Sequence, residues 1–395
     1  MLWQSWLQVV LTEDWQNGGF GLYVHWPFCD SKCPYCDFNS HVSQSIDQSA
    51  WARAYLLELE RVSAETQGRI LNTIFFGGGT PSLMHPGTVA QVVETARRLW
   101  RTSNELEISL EANPGSVEAG RFSAYRDGGV NRISMGIQAL NDADLKRLGR
   151  LHTVKEAQAA FDIARALFTN VSFDLIYARQ DQSLKNWEQE LKQALSMAVD
   201  HISLYQLTVE DGTAFGDRYA AGKLRGLPDD DLAADMYQLT QGVCSDAGMD
   251  RYEVSNHARP GAESRHNLIY WRYGDYLGIG PGAHGRVSLR GRRLATESWK
   301  APGKWLEMVQ QGSGERMRQA ISMQEQADEY LMMALRIAEG LDVDRHAALS
   351  GRPLNSPTRK SLAELGMIHD TGSKIILINQ GVMVANAIIR EFLAS

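Results

Sequence analysis

Apolar and polar positions alternate along the first half of the chain in a way that predicts strands and helices in turn. Six short runs are rich in β-branched and aromatic residues: 21–26, 72–79, 105–114, 131–138, 171–178 and 201–207. Between them, residues 50–64 and 89–100 repeat apolar side chains at the spacing of one helix face. Strand–helix alternation with nearly continuous apolar strands is typical of a parallel sheet that helices cover on both faces. The pattern therefore predicts an α/β fold, a partial (β/α)6 barrel.

Polar residues collect where these predicted strands end. Glu111 and Asn113 end the third strand, Gln138 ends the fourth, Asp174 lies within the fifth, and Tyr205 comes near the end of the sixth. In parallel β/α sheets the carboxyl ends of the strands line one mouth. The positions predict one shared site, although ordinary polar turns would explain the same residues equally well.

The second half of the chain follows a different pattern. Turn-forming residues fill 211–231, an amphipathic helix is predicted from about Asp229 to Ser245, and aromatic residues and glycine are dense in 265–285. From about Ser322, helical patterns and one short strand predict a small separate module. We therefore predict four regions: a lead-in (1–20), the barrel (21–210), an aromatic and glycine-rich extension (211–315) and a C-terminal module (316–395).

Composition limits the partners of the protein. The 395 residues carry 40 Lys and Arg against 47 Asp and Glu, a net charge of −7. Binding to a nucleic-acid backbone needs clustered Lys and Arg, so we expect no nucleic-acid partner. No apolar stretch reaches the ~18 residues of a membrane span, which leaves only peripheral membrane contact open. Residues 1–19 lack the features of a secretory signal and are interpreted as an amphipathic lead-in or the product of an over-early start codon.

Three of the four cysteines, Cys29, Cys33 and Cys36, lie within eight residues of one another in a loop after the first predicted strand. Three thiolates can hold three irons of a [4Fe–4S] cluster and leave the fourth without a protein ligand. A zinc site would need a fourth ligand, which His25 or His41 could supply. Free thiols that only pack in a core have no reason to cluster.

The remaining cysteine and the neighbours of the loop refine this interpretation. Cys244 falls on the predicted amphipathic helix and is interpreted as a buried small hydrophobic residue. Three clustered cysteines and one distant one form no even disulfide framework, which predicts a reducing, cytoplasmic compartment. Phe28, Tyr35 and Phe38 surround the loop, and we expect their rings to keep water from a bound cluster.

The C-x3-C-x2-C loop, together with "GGGTPS" at 77–82, resembles the signature of the radical S-adenosylmethionine (SAM) superfamily. That resemblance implies a [4Fe–4S] cluster whose open iron is chelated by the amino and carboxylate groups of SAM. An electron from the cluster would then break a carbon–sulfur bond of SAM. The glycines have a separate physical logic, because a backbone without side chains lets its N–H and C=O groups approach a ligand.

Within the superfamily the chain resembles the oxygen-independent coproporphyrinogen III oxidases, and among them the heme chaperone branch called HemW. The resemblance extends from about Gly21 to the C-terminus. Its motifs are "LYVHWPFC", "KCPYCDFNSH", "FFGGGTPSL", "EANPG", "GVNRISMGIQ", "LKRLGRLH", "HISLYQLTVEDGT" and "RHNLIYWRYGDYLGIGPGAHG".

This resemblance implies roles for particular residues. The cluster ligands would be Cys29, Cys33 and Cys36. The SAM-binding residues would be Tyr23, Gly78, Gly79, Thr80, Glu111, Gln138, Arg150 and Asp174. The heme-contacting residues would be His266, Asn267, Tyr270 and Trp271, with His257 and His284 as competing iron ligands. Without the resemblance, 266–271 would be interpreted as an aromatic core strand with a hydrogen-bonded histidine.

Two departures from the oxidases bear on the activity. Those enzymes carry a fourth cysteine two residues after the third, where this chain has Phe38. After Asp174-Leu-Ile-Tyr the family usually continues Gly-Leu-Pro-x-Gln, whereas residues 178–182 here read Ala-Arg-Gln-Asp-Gln. The first departure is the pattern of the chaperone branch and puts decarboxylation in doubt. The second means that contacts from that loop should not be assumed.

Several functions therefore stand as hypotheses. The first is a heme chaperone, monomeric or homodimeric, that carries a cluster and SAM and delivers heme to an acceptor apo-hemoprotein. The alternative is a radical enzyme that converts coproporphyrinogen III to protoporphyrinogen IX. RNA modification is disfavoured by the acidic charge, and a structural zinc module would contain zinc in place of iron. The C-terminal module resembles a winged-helix-like fold, which we interpret as a lid or docking surface because the charge gives no reason to expect DNA binding.

Overall fold

A computed structural model of the chain describes residues 13–43, 45–115, 119–197, 200–378 and 380–394. The interpretation of residues 1–10 as a lead-in or an over-early start lies outside these residues. The strands are β1 Phe20–Trp26, β2 Phe28–Cys29, β3 His41–Val42, β4 Ile70–Gly78, β5 Arg101–Ala112, β6 Arg132–Gln138, β7 Asn170–Tyr177, β8 His201–Gln206, β9 Asp250–Arg251, β10 Asn256–Ala258, β11 Asp275–Ile279, β12 His284–Leu289, β13 Arg292–Ser298, β14 Glu315–Ala320, β15 Leu341–Asp342, β16 Ile368–Asp370 and β17 Lys374–Leu377.

Helices alternate with these strands in the first half and dominate the C-terminal part. They are α1 Gln48–Glu65, α2 Pro86–Leu99, α3 Phe122–Asp127, α4 Asp142–Arg147, α5 Val154–Leu167, α6 Leu184–Ser196, α7 Ala214–Ala220, α8 Asp230–Asp246, α9 Arg265–Trp271, α10 Pro302–Gln310, α11 Met323–Ala334, α12 Val343–Ser350, α13 Ser356–Glu364, α14 Gln380–Met383 and α15 Ala385–Leu393. Among them α1, α2 and α8 confirm the helices that the apolar spacing predicts.

Six parallel strands form the centre of one large sheet. In the described chain this sheet has twelve strands in the order β14-β13-β12-β11-β1-β4-β5-β6-β7-β8-β10-β9. From β1 to β8 the neighbours pair in parallel and follow chain order, with helices between them. Each predicted strand is present within a few residues of its expected bounds, which confirms the α/β fold and the partial barrel.

The extension lengthens this sheet at both edges. β11 pairs in parallel with β1, and β12 to β14 continue from it as antiparallel strands. At the other edge β10 and β9 join β8 in antiparallel pairing. Because β14 runs from Glu315 to Ala320, the first residues of the predicted C-terminal module belong to the large sheet.

Residues 266–271 form a helix and not a strand. Helix α9 begins after Ser264, whose hydroxyl accepts a hydrogen bond from the backbone N–H of Asn267. It packs against β4, β1 and β11. The interpretation as a core strand was therefore wrong about the element, although His266 is buried and hydrogen-bonded as that interpretation expected. A run of seven residues with four apolar or aromatic side chains does not by its length or periodicity distinguish a helix from a strand.

The C-terminal module has its own core. Helices α11, α12, α13 and α15 surround the three-stranded sheet β15-β17-β16. Buried side chains including Leu331, Leu341, Ile375 and Ile389 pack together there. This order of helices followed by a β-hairpin agrees with the predicted winged-helix-like module. No helix in the described part of the chain has the length and apolarity to cross a membrane.

A buried charge cluster links the extension to Arg69, the residue that precedes β4. Asp275, the first residue of β11, is fully buried, and its carboxylate lies 2.7 Å from Arg69 Nη1 and 3.3 Å from Arg293 Nη2. The backbone N–H and the hydroxyl of Ser288 also donate to it. Removing one partner from a buried ion pair is costly because the remaining charges lose their compensation.

We predict that Asp275→Ala lowers the free energy of unfolding by about 3–5 kcal/mol, because two buried guanidinium groups lose their shared carboxylate. Chemical denaturation followed by circular dichroism measures this change. Glu188→Ala is the control, since Glu188 forms an exposed pair with Lys192 and its loss should cost less than about 1 kcal/mol. Equal effects of the two substitutions would contradict the prediction.

Candidate functional site

The strand ends converge on one cavity, as the sequence predicted. It has a volume of about 370 Å³ and lies at the carboxyl ends of the parallel strands. Nearly all of the predicted cluster and SAM residues line it: Cys29, Cys33, Cys36, Gly78, Gly79, Thr80, Glu111, Gln138, Arg150 and Asp174. Polar turns alone do not account for this arrangement. Tyr23 lies outside this lining, and its hydroxyl is 3.0 Å from His25 Nδ1.

The glycine-rich turn after β4 holds one end of the cysteine loop. Gly79 N donates to Trp26 O at 2.7 Å, and Thr80 N donates to Phe28 O at 2.8 Å. A Cβ atom on Gly79 would lie 2.7 Å from Phe28 O and 3.0 Å from Cys29 Sγ, which is too close for any other residue. The sequence predicted that this turn approaches a ligand. In this structure its backbone approaches the cysteine loop.

Asn39 holds the other end of the loop. Its side-chain amide donates to Pro281 O at 2.9 Å and to Lys300 O at 3.0 Å. Its backbone carbonyl lies 3.0 Å from His25 Nε2, and because a carbonyl only accepts, His25 carries its proton on Nε2. His25 Nδ1 then accepts from the Tyr23 hydroxyl. A chain of hydrogen bonds therefore joins β1, the cysteine loop and the extension.

Arg150 sits beside the middle cysteine. Its Nη1 is 3.4 Å from Cys33 Sγ, and its Nη2 donates to Asn113 Oδ1 at 2.6 Å and to Gly136 O at 2.8 Å. Its Nε is buried without a hydrogen-bond partner in the described structure. The Nε–H is thus an unpaired donor among the described residues, and the predicted fork onto a ligand carboxylate remains a prediction.

The cysteine loop fits a cluster better than a zinc ion. No three His, Cys, Asp or Glu side chains of the described residues converge on a point that could hold a single metal ion. His25 and His41, the suggested fourth ligands, both hydrogen-bond to Asn39. A [4Fe–4S] cluster binds each thiolate through a different iron, so three thiols on one mouth suit it. Among the described residues, the buried Ser40 hydroxyl at this mouth has no oxygen or nitrogen hydrogen-bond partner.

The surroundings of the thiols are only partly apolar. Burial raises the pKa of the Cys29 and Cys36 thiols, and the hydroxyl of Ser40 beside them acts in the opposite direction. Phe28 is buried, but the Phe38 side chain is 60% exposed. The expectation that Phe38 keeps water from a cluster was therefore wrong. Its ring forms part of the outer rim of the mouth.

Two carboxyl groups face the cavity from β5 and β7, the strands on either side of β6. Burial, together with the charge of Asp174, raises the pKa of Glu111 to about 8, against a lowering hydrogen bond from Gly78 N. Burial raises the pKa of Asp174 to about 6, although Ser203 and Ser134 donate to it. Near neutral pH the pair therefore holds one proton, which lets it both donate to and accept from a polar ligand.

The four predicted heme residues do not lie on one surface of α9. His266 and Tyr270 face the floor of the barrel, where His266 Nδ1 is 2.6 Å from Thr73 Oγ1 and Nε2 is 2.6 Å from the Tyr270 hydroxyl. Trp271 lines a separate cavity of about 310 Å³ against the C-terminal module. Asn267, one turn before Trp271, shares the side of the helix that bears Trp271. Of the two competing histidines, His257 is buried and His284 is exposed.

Sequence reasoning missed the residues that shape the loop. Asn39 and Ser40 follow the third cysteine in "CDFNS", and their proximity to it was the available signal. Gly282 belongs to one of the family motifs, but the sequence predicted no role for it. A Cβ atom there would lie 2.5 Å from Asn39 Nδ2, and the residue has φ +75°, a conformation that favours glycine.

Comparison with known proteins agrees with this site. The sequence model of the Radical SAM superfamily matches residues 23–194. The Escherichia coli K12 protein named heme chaperone HemW is 36% identical over 94% of this chain and 98% of its own length. The chain belongs to the heme chaperone HemW family. A bovine relative is 41% identical over 81% of this chain and 74% of its own length. It is named radical S-adenosyl methionine domain-containing protein 1, mitochondrial.

A solved structure shows that the HemW-family fold is shared more widely. Coproporphyrinogen III oxidase (HemN) from Escherichia coli, described as a radical SAM enzyme, aligns with a TM-score of 0.78 at 22% identity. The alignment covers 95% of this chain and 92% of the other. At that identity the similarity shows the fold alone. It includes the extension and the C-terminal module, which lie outside the superfamily match.

Removing one loop thiol should remove the cluster but leave the fold. We predict that Cys33→Ala abolishes iron and sulfide binding after anaerobic reconstitution, while the free energy of unfolding changes by less than about 1 kcal/mol because Cys33 lies outside the core. Iron and sulfide analysis and visible absorption measure the binding. Cys244→Ala, which removes the buried cysteine of α8, should retain the full signal. A complete cluster in Cys33→Ala would refute the ligand assignment.

The raised pKa of Glu111 should make stability depend on pH. The folded protein holds the Glu111 proton up to about pH 8, whereas the unfolded chain releases it near 4.5, so stability falls as pH rises through this window. Relative to Glu111→Gln, the ligand-free protein should lose about 4 kcal/mol between about pH 5 and pH 9. Denaturation at several pH values tests this. The same substitution at exposed Glu391 should leave the pH dependence unchanged.

Proposed function

We propose that this protein is a heme chaperone that holds a [4Fe–4S] cluster and an exchangeable SAM molecule and passes heme to an acceptor apo-hemoprotein. The observation that carries the proposal is the full-length relationship to proteins named heme chaperone HemW. Cys29, Cys33 and Cys36 would bind three irons, and SAM would complete the fourth. When bound, such a cluster supplies single electrons to SAM.

The cavity supports the proposed SAM site. One carboxyl of the Glu111–Asp174 pair is ionised near neutral pH and could accept from the SAM ammonium or ribose hydroxyls. The unused Nε–H of Arg150 could donate to the SAM carboxylate. Gln138, Thr80 and the glycines of the turn after β4 would complete the walls of the site.

The heme site would be built around α9. His266 would ligate the iron, and the aromatic rings of Tyr270 and Trp271 would line the porphyrin. In the present structure both ring nitrogens of His266 are hydrogen-bonded, and the side chain is 1% exposed. Iron coordination through Nε2 therefore requires the hydrogen bond to Tyr270 to break and the helix face to become accessible.

The second candidate is oxidative decarboxylation of coproporphyrinogen III. The near-complete set of cavity residues favours it, and Phe38 in place of a fourth loop cysteine opposes it. An anaerobic assay of the cluster-loaded protein with SAM and a reductant distinguishes the two functions. A vinyl product together with 5′-deoxyadenosine would establish the enzyme, whereas heme binding and transfer without either product supports the chaperone.

The partners follow from the same proposal. They would be heme and an acceptor hemoprotein, bound by a monomer or a homodimer in a reducing, cytoplasmic compartment. The net charge of −7 supports the expectation that nucleic acid is not among them.

We predict that His266→Ala weakens heme binding at least about tenfold, because a coordinate bond to iron is lost. Tyr270→Phe should strengthen binding, since it frees His266 Nε2. Absorption titration of the full-length, cluster-loaded protein measures affinity, and transfer to an apo-globin measures delivery. His284→Ala is the control, because it removes an exposed imidazole. Loss of heme binding in His284→Ala with retention in His266→Ala would reassign the ligand.

A further inference from the structure

Ser40 is a buried hydroxyl beside the cysteine loop. The residue is 7% exposed, and its Oγ has no oxygen or nitrogen hydrogen-bond partner within the described structure. It lies beside the thiols of Cys36 and Cys29 and lines the same cavity. Burying a hydroxyl without a partner costs about 1–3 kcal/mol. Among the described residues the acceptors beside it are these thiols, so the hydroxyl would be better satisfied if one of them became a thiolate.

The backbone fixes Ser40 where it stands. Ser40 N donates to Phe38 O at 2.7 Å, and His41 N donates to Pro27 O at 2.7 Å. The short strands β2 and β3 pair in parallel, with Phe28 opposite His41. Ser40 is thus held between this ladder and the Asn39 clamp on the extension. Its hydroxyl can rotate, but the backbone that carries it cannot easily move away from the thiols.

Loading a cluster would change what the hydroxyl meets. A neutral thiol is a weak acceptor, whereas an iron-bound thiolate carries negative charge and accepts strongly. Reduction of the cluster adds a further negative charge that spreads over the sulfurs. Hydrogen bonds to those sulfurs stabilise the reduced form more than the oxidised form and raise the reduction potential.

We propose that the Ser40 hydroxyl donates a hydrogen bond to the Cys36 thiolate of the bound cluster and thereby raises its reduction potential. Ser40 would be a positioning residue that tunes the cluster through the cysteine sulfur. The inference rests on the proposed cluster. It fails separately from that proposal, because the cluster can be present with a potential that does not depend on Ser40.

The experiment compares the full-length protein with Ser40→Ala and Ser40→Thr after anaerobic reconstitution. Iron and sulfide content reports loading, and a redox titration monitored by electron paramagnetic resonance reports the potential, without SAM and with it. In Ser40→Ala the ratio of reduced to oxidised cluster at a fixed potential should fall about three- to tenfold, from the strength of one hydrogen bond. A tenfold fall corresponds to 59 mV for one electron. Ser40→Thr keeps a hydroxyl and should stay close to the wild type.

Ser43→Ala is the matched control. Ser43 lies three residues further along the same chain segment, and its hydroxyl donates to Ser45 O at 2.9 Å, so its removal should not move the potential. Loss of the cluster in Ser40→Ala with retention in Ser40→Thr would also support the proposal, because the hydroxyl would then be needed to hold the thiolates. A fully loaded Ser40→Ala with wild-type potential, or loss of the cluster in both variants, would overturn it.

Discussion

The close approach of two backbones at the ends of β1 and β4 is the constraint on which the site depends. The N–H groups of Gly79 and Thr80 donate to the carbonyls of Trp26 and Phe28, just before the first cysteine, and any side chain at Gly79 would meet Phe28 and Cys29. The loop has little regular structure of its own beyond a two-residue ladder. The shape of the loop therefore depends on its contacts with the turn after β4, and a glycine at position 79 is needed because any side chain there would prevent these contacts.

Much of the fold could be predicted from the sequence because the patterns that specify its strands and helices are local. The six parallel strands appear as separate apolar runs, and their polar ends share a mouth because parallel strands finish at one edge. The cysteines were recognisable because their spacing alone constrains the chemistry. Helix α9 was not, since a run of seven residues with four apolar or aromatic side chains, Ile269 and Tyr270 among them, fits either element until its packing partners are known.

The contacts that sequence reasoning missed are distant and made by backbone atoms. Asn39 binds the carbonyls of Pro281 and Lys300, which lie more than two hundred residues away. A carbonyl oxygen has the same chemistry in every residue type, so no pattern of side chains marks it as a partner. The same holds for the pairing of β11 with β1, which joins segments that lie far apart in the sequence, such as those that contain Phe20 and Asp275.

Because the side chain of Asn39 donates to two carbonyls of the extension, the barrel alone does not contain every contact that holds the cysteine loop. A fragment that ended after β8 would still contain every cysteine of the loop. The side chain of Asn39, at one end of that loop, would have lost its hydrogen-bond acceptors. The ring of Tyr23 would also lose part of its support, since its hydrogen-bonded partner His25 reaches the extension through Asn39. The barrel and the extension therefore form one structural unit at the cysteine loop, and neither could be exchanged without replacing the contacts of Asn39.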